Sequence, residues 1–278
     1  MKRICLGILL TAALLFAPCT SALAASDTSP MGDTQTCCLV MNAINGNIIY
    51  SDKMDTKCFP ASITKIMTAI LVFNDLKPND TITITQPVLD ATPADSSGIG
   101  LKVGETFTVE EAEYILLLKS DNAMANAFAI KISGSVSAFA SLMNKTAASL
   151  GAKDTHFVNP SGYYDKNHVT TCRDMALFMK KAVENPNFVK VMSTPAYKLE
   201  TETRNQTLVN DDQMILQSSQ YYTKSVICGK TGYTDEAKHT LITYAADNGV
   251  SAIAVVMRTT KTDQYDYTRS LLDIAFYK

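Results

Sequence analysis

The chain has 278 residues, 46% of them hydrophobic, with 25 basic against 27 acidic side chains and a formal net charge of −2. That length suits one large domain or two small ones, and the apolar share with balanced charge excludes a disordered chain. Only 19% of residues are charged and no long run has a single sign, which argues against an electrostatic nucleic-acid binder.

Residues 1–24 read as an export signal. Lys2 and Arg3 are followed by an uncharged apolar run, Leu6 to Ala17, and by Ala22-Leu23-Ala24, the small-x-small pattern of a signal-peptidase site. The run is shorter than the roughly 20 residues a spanning helix needs. Cys19 would suit lipoprotein processing, but Pro18 before it does not. Without this segment the chain is 254 residues long, with 23 basic and 27 acidic side chains, and no stable membrane anchor is expected. Five cysteines then remain: Cys37, Cys38, Cys58, Cys172 and Cys228. An odd number cannot pair fully within one chain, and no Cys-x-x-Cys spacing supports zinc or dithiol chemistry. They are predicted to be free, buried thiols.

Residues 25–36 are small and polar, a flexible leader. Leu39–Met41, Asn45-Gly46 and Ile48–Tyr50 predict a hairpin, because Asn-Gly supplies the positive φ of a tight turn. Ala61 to Asn74 has helical apolar spacing. Thr108 and Glu111 form a capping box ahead of a second helix, Val109 to Lys119. Further helices are predicted near 122–132, 136–149 and 172–184, the last stopped by Pro186. Apolar strands follow at Val226–Lys230, Thr240–Ala246 and Ala252–Met257, then a closing helix near 266–277 that packs on the core. The order predicts an α/β fold: an antiparallel sheet built from both chain ends, flanked by helices, with a helical subdomain inserted at about 75–190. Residues 37–278 are read as one catalytic unit with no second C-terminal domain.

Three short motifs carry chemistry. Ser62-Ile63-Thr64-Lys65 places an amine one helical turn from a hydroxyl, a base for an otherwise weak nucleophile. Lysine serves if burial and neighbouring positive charge favour its neutral form. Ser120-Asp121-Asn122 falls at a helix–helix junction, where such residues also cap helices. Lys230-Thr231-Gly232 ends an apolar strand; on a sheet edge it would offer an ammonium, a hydroxyl and a site of close backbone approach. Each is weak alone, and their order is far more specific, with 58 residues from Ser62 to Ser120 and 110 from Ser120 to Lys230.

In that order the motifs resemble the signature of penicillin-binding proteins and class A β-lactamases. Longer stretches resemble the serine D-alanyl-D-alanine carboxypeptidases, the low-molecular-mass penicillin-binding proteins of peptidase family S11. They are Phe59 to Thr68 around the nucleophile, Thr155-His156-Phe157-Val158-Asn159-Pro160-Ser161-Gly162, His168 to Ala176, and Lys230-Thr231-Gly232-Tyr233-Thr234. The likeness runs from about Cys38 to the C-terminus and implies a β-lactamase/transpeptidase-like fold. It implies an exported enzyme that removes the terminal D-Ala from peptidoglycan stem peptides, secreted or loosely attached to the wall, with β-lactams as covalent inhibitors. Carried over, Ser62 would be the nucleophile, Lys65 its base and Ser120 a proton relay. Asn122 would hold the substrate backbone, and Lys230, Thr231 and Gly232 would line the site of the terminal carboxylate. The N–H groups of Ser62 and Tyr233 would form the oxyanion hole.

The chain departs from the family in three places. Members often carry an arginine just before the last helix, where Gln264 or Tyr265 stands here, and Arg258 is the cation expected to substitute. Asp121 occupies a position that is often small. Aspartate is the β-lactamase form, but no Glu-x-x-Leu-Asn segment supplies that enzyme's deacylating base. Members also often carry a further β-rich domain and an amphipathic anchor. A wall-binding or β-lactam-sensing module, an endopeptidase and a β-lactamase are the other readings of the same motifs. No cofactor is implied, and His156, His168 and His239 lack the spacing of a metal site.

Overall fold

The computed structural model describes residues 35–277. The predicted signal and most of the predicted leader lie outside the described residues. The first hairpin forms as the sequence predicts: β1 (Cys37–Asn42) and β2 (Ile48–Asp52) are antiparallel, and Gly46 takes a φ of 77° at the turn. Between this hairpin and the last three strands lie the helices α1 (Lys65–Asp75), α2 (Gln86–Asp90), α3 (Val109–Leu118), α4 (Asn122–Ser133), α5 (Val136–Ser149), α6 (Cys172–Ala182) and α7 (Pro186–Met192). Two small hairpins accompany them, β3 (Thr81–Thr83) with β4 (Thr106–Thr108) and β5 (Ala196–Glu200) with β6 (Asn205–Val209). The chain then returns as β7 (Val226–Thr234), β8 (Lys238–Asp247), β9 (Val250–Thr259) and α8 (Asp263–Tyr277).

The main sheet has the order β2-β1-β9-β8-β7, all antiparallel. Strands from both chain ends therefore interleave, as predicted. Both faces are covered, which explains why Cys37–Met41 of β1 and Ala252–Met257 of β9 are apolar runs that do not alternate with polar residues. Cys37, Leu39 and Met41 of β1 pack with Ile253, Val255 and Met257 of β9 against the core shared with the helices. Cys38 and Val40 pack with Ala254, Val256, Leu271 and Leu272 beneath α8. The five described cysteines are free and buried, matching the expectation from their odd count.

Two predictions need correction. Pro186 does not merely end a helix. The preceding helix stops at Ala182, and Pro186 is the first residue of α7, with the Asn185 side chain accepting from Asn187 N. Proline suits that position because its missing N–H would be unbonded there anyway. The last three strands also extend beyond their apolar cores. Lys230-Thr231-Gly232 thus lies within β7, not at its end, and β7 is an edge strand.

Candidate active site

Ser62 sits in a single 3-10 turn, Ala61–Thr64, that leads into α1. In such a turn, residues three apart eclipse each other, so the Lys65 side chain lies directly over Ser62. The Lys65 amine is 3.0 Å from Ser62 Oγ, 2.6 Å from Asn122 Oδ1 and 2.8 Å from the Ser161 carbonyl oxygen. Asn122 and Ser161 offer only acceptors, which takes two amine hydrogens and leaves the third position on nitrogen for Ser62. Lys65 is fully buried. Burial, reinforced by the nearby Lys230 charge and opposed by Asp121, holds its ammonium well below the usual lysine range. A neutral amine here presents its lone pair to the Ser62 hydroxyl.

The turn is held from several directions. Ala61 has a φ of 51°, a left-handed conformation that costs roughly 1–3 kcal/mol for a residue with a Cβ. It persists because its surroundings leave no alternative. Thr240 Oγ1 of β8 donates to Pro60 O at 3.1 Å, and Thr68 Oγ1 of α1 donates to Pro160 O at 2.6 Å. Gly162, at a φ of 81°, packs so closely that an added Cβ would lie 1.8 Å from Ala61 O. A Cβ on Gly232 of β7 would lie 2.8 Å from Ser62 N and 2.6 Å from Thr240 Oγ1. The glycine of the third motif is therefore required so that the edge strand can touch the Ser62 turn.

His168 completes the support. Its Nδ1 accepts from Val158 N at 3.2 Å, which leaves the proton on Nε2, 3.0 Å from Thr64 Oγ1. Burial pushes this imidazole down to about 3, so it stays neutral across the physiological range. Asn159 Oδ1 accepts from Ser161 N and Gly162 N, shaping the turn that aims the Ser161 carbonyl at Lys65. The Ser161 carbonyl, Gly162 and His168 were not singled out as site residues by the motif spacing. The Asn-Pro-Ser-Gly turn was the available signal for Ser161 and Gly162, and the His168 to Ala176 stretch for His168.

The junction between α3 and α4 carries the second motif. Ser120 is buried at a φ of 55°, and its Oγ has no hydrogen-bond partner among the described residues. The Asp121 side chain bonds to α4 and a loop and not to Ser62. Its carboxylate caps α4 by accepting from Met124 N at 2.7 Å and ties in a loop by accepting from Ile99 N at 2.8 Å. The carboxylate thereby serves structure, while its charge also acts on Lys65. On β7, Lys230 is buried and donates to Thr231 O at 3.0 Å. Burial pushes its ammonium down to about 8, against the opposing pull of Asp211 and Asp212.

Two cavities meet at Ser62. One, of about 380 Å³, is lined by Asn122, Gly162 and Tyr233 together with an acidic rim of Asp95, Asp235 and Glu236. The other, of about 650 Å³, is lined by Ser120, Thr231, Gly232 and Tyr233 and extends to Lys261 and Gln264. The structure places Ser62, Ser120, Asn122, Thr231, Gly232 and Tyr233 on the cavity walls, with Lys65 buried beneath them and bonded to Ser62 and Asn122, and Lys230 buried and bonded to Thr231 O. Arg258 lines neither cavity and bonds to none of these residues; its charge contributes at the thiols of Cys37 and Cys58. Among the described residues no group of three or more His, Cys, Asp or Glu side chains could hold a metal ion.

The family model for D-alanyl-D-alanine carboxypeptidase, peptidase S11, matches residues 26–261. A D-alanyl-D-alanine carboxypeptidase of Bacillus subtilis is 33% identical over 285 residues, covering 99% of this chain and 71% of that protein. One from Mycobacterium tuberculosis is 30% identical, covering 82% and 76% respectively. The crystal structure of the Streptomyces K15 DD-transpeptidase superposes with a TM-score of 0.79 at 29% identity, covering 86% of this chain and 95% of that one. The chain belongs to the D-alanyl-D-alanine carboxypeptidases, a family of serine peptidases.

Proposed function

We propose that this protein is an exported D,D-carboxypeptidase that removes the terminal D-Ala of peptidoglycan stem pentapeptides through an acyl-enzyme on Ser62. Ser62 Oγ attacks the carbonyl of the penultimate D-Ala and passes its proton to Lys65 Nζ. The oxyanion is stabilised by the N–H groups of Ser62 and Tyr233, fixed donors that need no reorganisation as charge develops. Ser120 Oγ relays the proton to the leaving D-Ala nitrogen. Asn122 holds the peptide backbone, and Lys230 and Thr231 bind the terminal carboxylate beside Gly232. Water then attacks the ester and restores Ser62. A β-lactam would acylate the same hydroxyl.

The observation that carries this reading is the three-partner environment of Lys65, which turns its lone pair toward Ser62. Export is supported by the Lys2–Ala24 pattern; no helix among the described residues is long and apolar enough to cross a membrane. We further take residues 37–278 as one catalytic unit with the helical segment of about 75–190 inserted. Mass spectrometry of a pentapeptide muropeptide after incubation tests the reaction. Loss of one alanine, absent with Ser62→Ala, is expected. Cleavage only of cross-linked muropeptides would reassign the enzyme as an endopeptidase, and acylation by penicillin without any turnover as a sensor.

A further inference from the structure

Cys37 opens β1 and Cys58 shortly precedes Ser62, and their sulfurs meet at 3.6 Å in the buried core. Both backbones are clamped. Cys37 lies opposite Met257 of β9, and Cys58 exchanges hydrogen bonds with Thr170, its N–H donating at 2.8 Å and its carbonyl oxygen accepting at 2.9 Å. The thiols are thereby held in register, and the approach from contact to a bond of about 2.0 Å falls to the side chains. Other described cysteines are worse placed. Cys38 is on the opposite face of β1, beneath α8. Cys228 is on β7, three strand spacings or about 14 Å across the sheet. Cys172, the first residue of α6, shares the core and is the competitor to be separated by experiment. The contact also divides the labour of exchange. The hydrogen bond from Cys58 brings the Cys37 thiol down to about 7 against the opposing effect of burial, while the same contact and burial raise the Cys58 thiol.

We infer that Cys37 and Cys58 are a modification site, closed by a disulfide oxidant of the glutathione-disulfide class into a bond that staples β1 to the segment entering the Ser62 turn. Cys37, as thiolate, attacks one sulfur of oxidised glutathione and displaces one glutathione thiolate, leaving a mixed disulfide. The Cys58 sulfur, as its proton leaves, attacks the Cys37 sulfur and displaces the second. The two cysteines together give up two electrons and two protons, and both pass to the two glutathiones released. Because the thiols are buried in the finished fold, exchange takes place before β9 encloses β1 or when that first strand opens. From Cys58 the chain runs through Phe59, which packs edge-on to Tyr164 of the cavity wall, and Pro60, whose carbonyl accepts from Thr240. The bond joins positions 21 residues apart and so restricts the unfolded chain while fixing the approach to Ser62.

The test exposes the full chain to oxidised glutathione, both folded and during refolding from urea, then denatures, alkylates and digests it with trypsin for mass spectrometry. A cross-link is expected between the peptide Cys58–Lys65 and the peptide that ends at Lys53, with fragmentation assigning it to Cys37 and not to Cys38. The oxidised protein should melt about 5–10 °C above the reduced one, and the heating midpoint for loss of penicillin labelling should rise with it. Cys37→Ser and Cys58→Ser should each abolish the cross-link and the oxidation-dependent rise in Tm, whereas Cys38→Ser and Cys172→Ser should keep both. Comparing oxidised with reduced samples of one variant removes any loss of packing caused by the serine. A link to Cys38 or Cys172, a glutathione adduct that never resolves, full alkylation of Cys37 and Cys58 after both treatments, or an unchanged Tm on oxidation would overturn the proposal.

Discussion

Gly162→Ala tests whether the nucleophile turn is positioned by close packing from the Asn159–Gly162 turn. The new Cβ would lie 1.8 Å from Ala61 O, 2.4 Å from Ala61 C and 2.7 Å from Thr64 Oγ1, where real contacts stay beyond 3.0 Å. Relief requires either the Ala61–Ser62 backbone or the Ser161–Gly162 backbone to move by more than 1 Å. Either shift disturbs Lys65, since Ser161 O and Ser62 Oγ are two of its three partners. A displacement of that size costs on the order of 100-fold in a reaction that depends on alignment. Gly151→Ala separates backbone strain from steric displacement. Gly151 has a φ of 85°, but an added Cβ meets nothing within 4 Å. That control should cost about 1 kcal/mol, or about 2–4 °C in Tm, with acylation unchanged. The assay is the second-order rate of Ser62 labelling by a fluorescent penicillin, with Tm measured in parallel. Labelling of Gly162→Ala within about three-fold of the parent would refute the argument.

Asp212 is buried beside Lys230 and favours its ammonium form, so Asp212→Asn should move the alkaline limb of kcat/KM downward from about 8; an unmoved limb counts against an ionic role for Lys230. Burial, with help from Glu110, raises the Glu113 carboxyl to about 8. The folded protein therefore keeps a proton that the unfolded chain has released between about 4.5 and 8, and parent stability falls as pH rises through that window. Glu113→Gln should match the parent near pH 4.5 and exceed it by on the order of 4 kcal/mol at pH 8.5, read from urea midpoints; a constant difference would contradict this. Arg204 forms a two-point ion pair with Glu105 at 2.6 and 2.8 Å and also donates to Ile99 O and Gly100 O. Both side chains are largely buried, at 12% and 7% exposure, so Arg204→Ala should cost about 3–5 kcal/mol by stranding Glu105, whereas a loss below 1 kcal/mol would mean the pair is solvated.

The parts legible in the sequence were those with a local physical signature. Asn45-Gly46 demanded its turn, Thr108 and Glu111 form the capping box as predicted, and the three motifs converge on one cleft. What escaped was non-local. A backbone carbonyl such as Ser161 O carries no side-chain signal for its role on Lys65, 96 residues away. Arg258 looked well placed beside the last helix, but a φ of 61° at the end of β9 accompanies a charge that acts on the cysteine side. The β3–β4 and β5–β6 hairpins have strands of three and five residues, too short for alternation to stand out from loop sequence.

The sheet order also governs when an active cleft can exist. β1 lies between β2 and β9, so its second neighbour is supplied only after the chain from Asn42 to Val250 has been laid down. The nucleophile turn likewise leans on Gly232 and Thr240 from late strands. Such distant pairings form slowly because a long loop must close before they contribute. Any fragment lacking the last strands would leave Ser62 unsupported, so the enzyme is assembled late and as a whole. A chain that delays its sheet in this way has no hydrolytic power until its last strands are in place, wherever in the cell it is made.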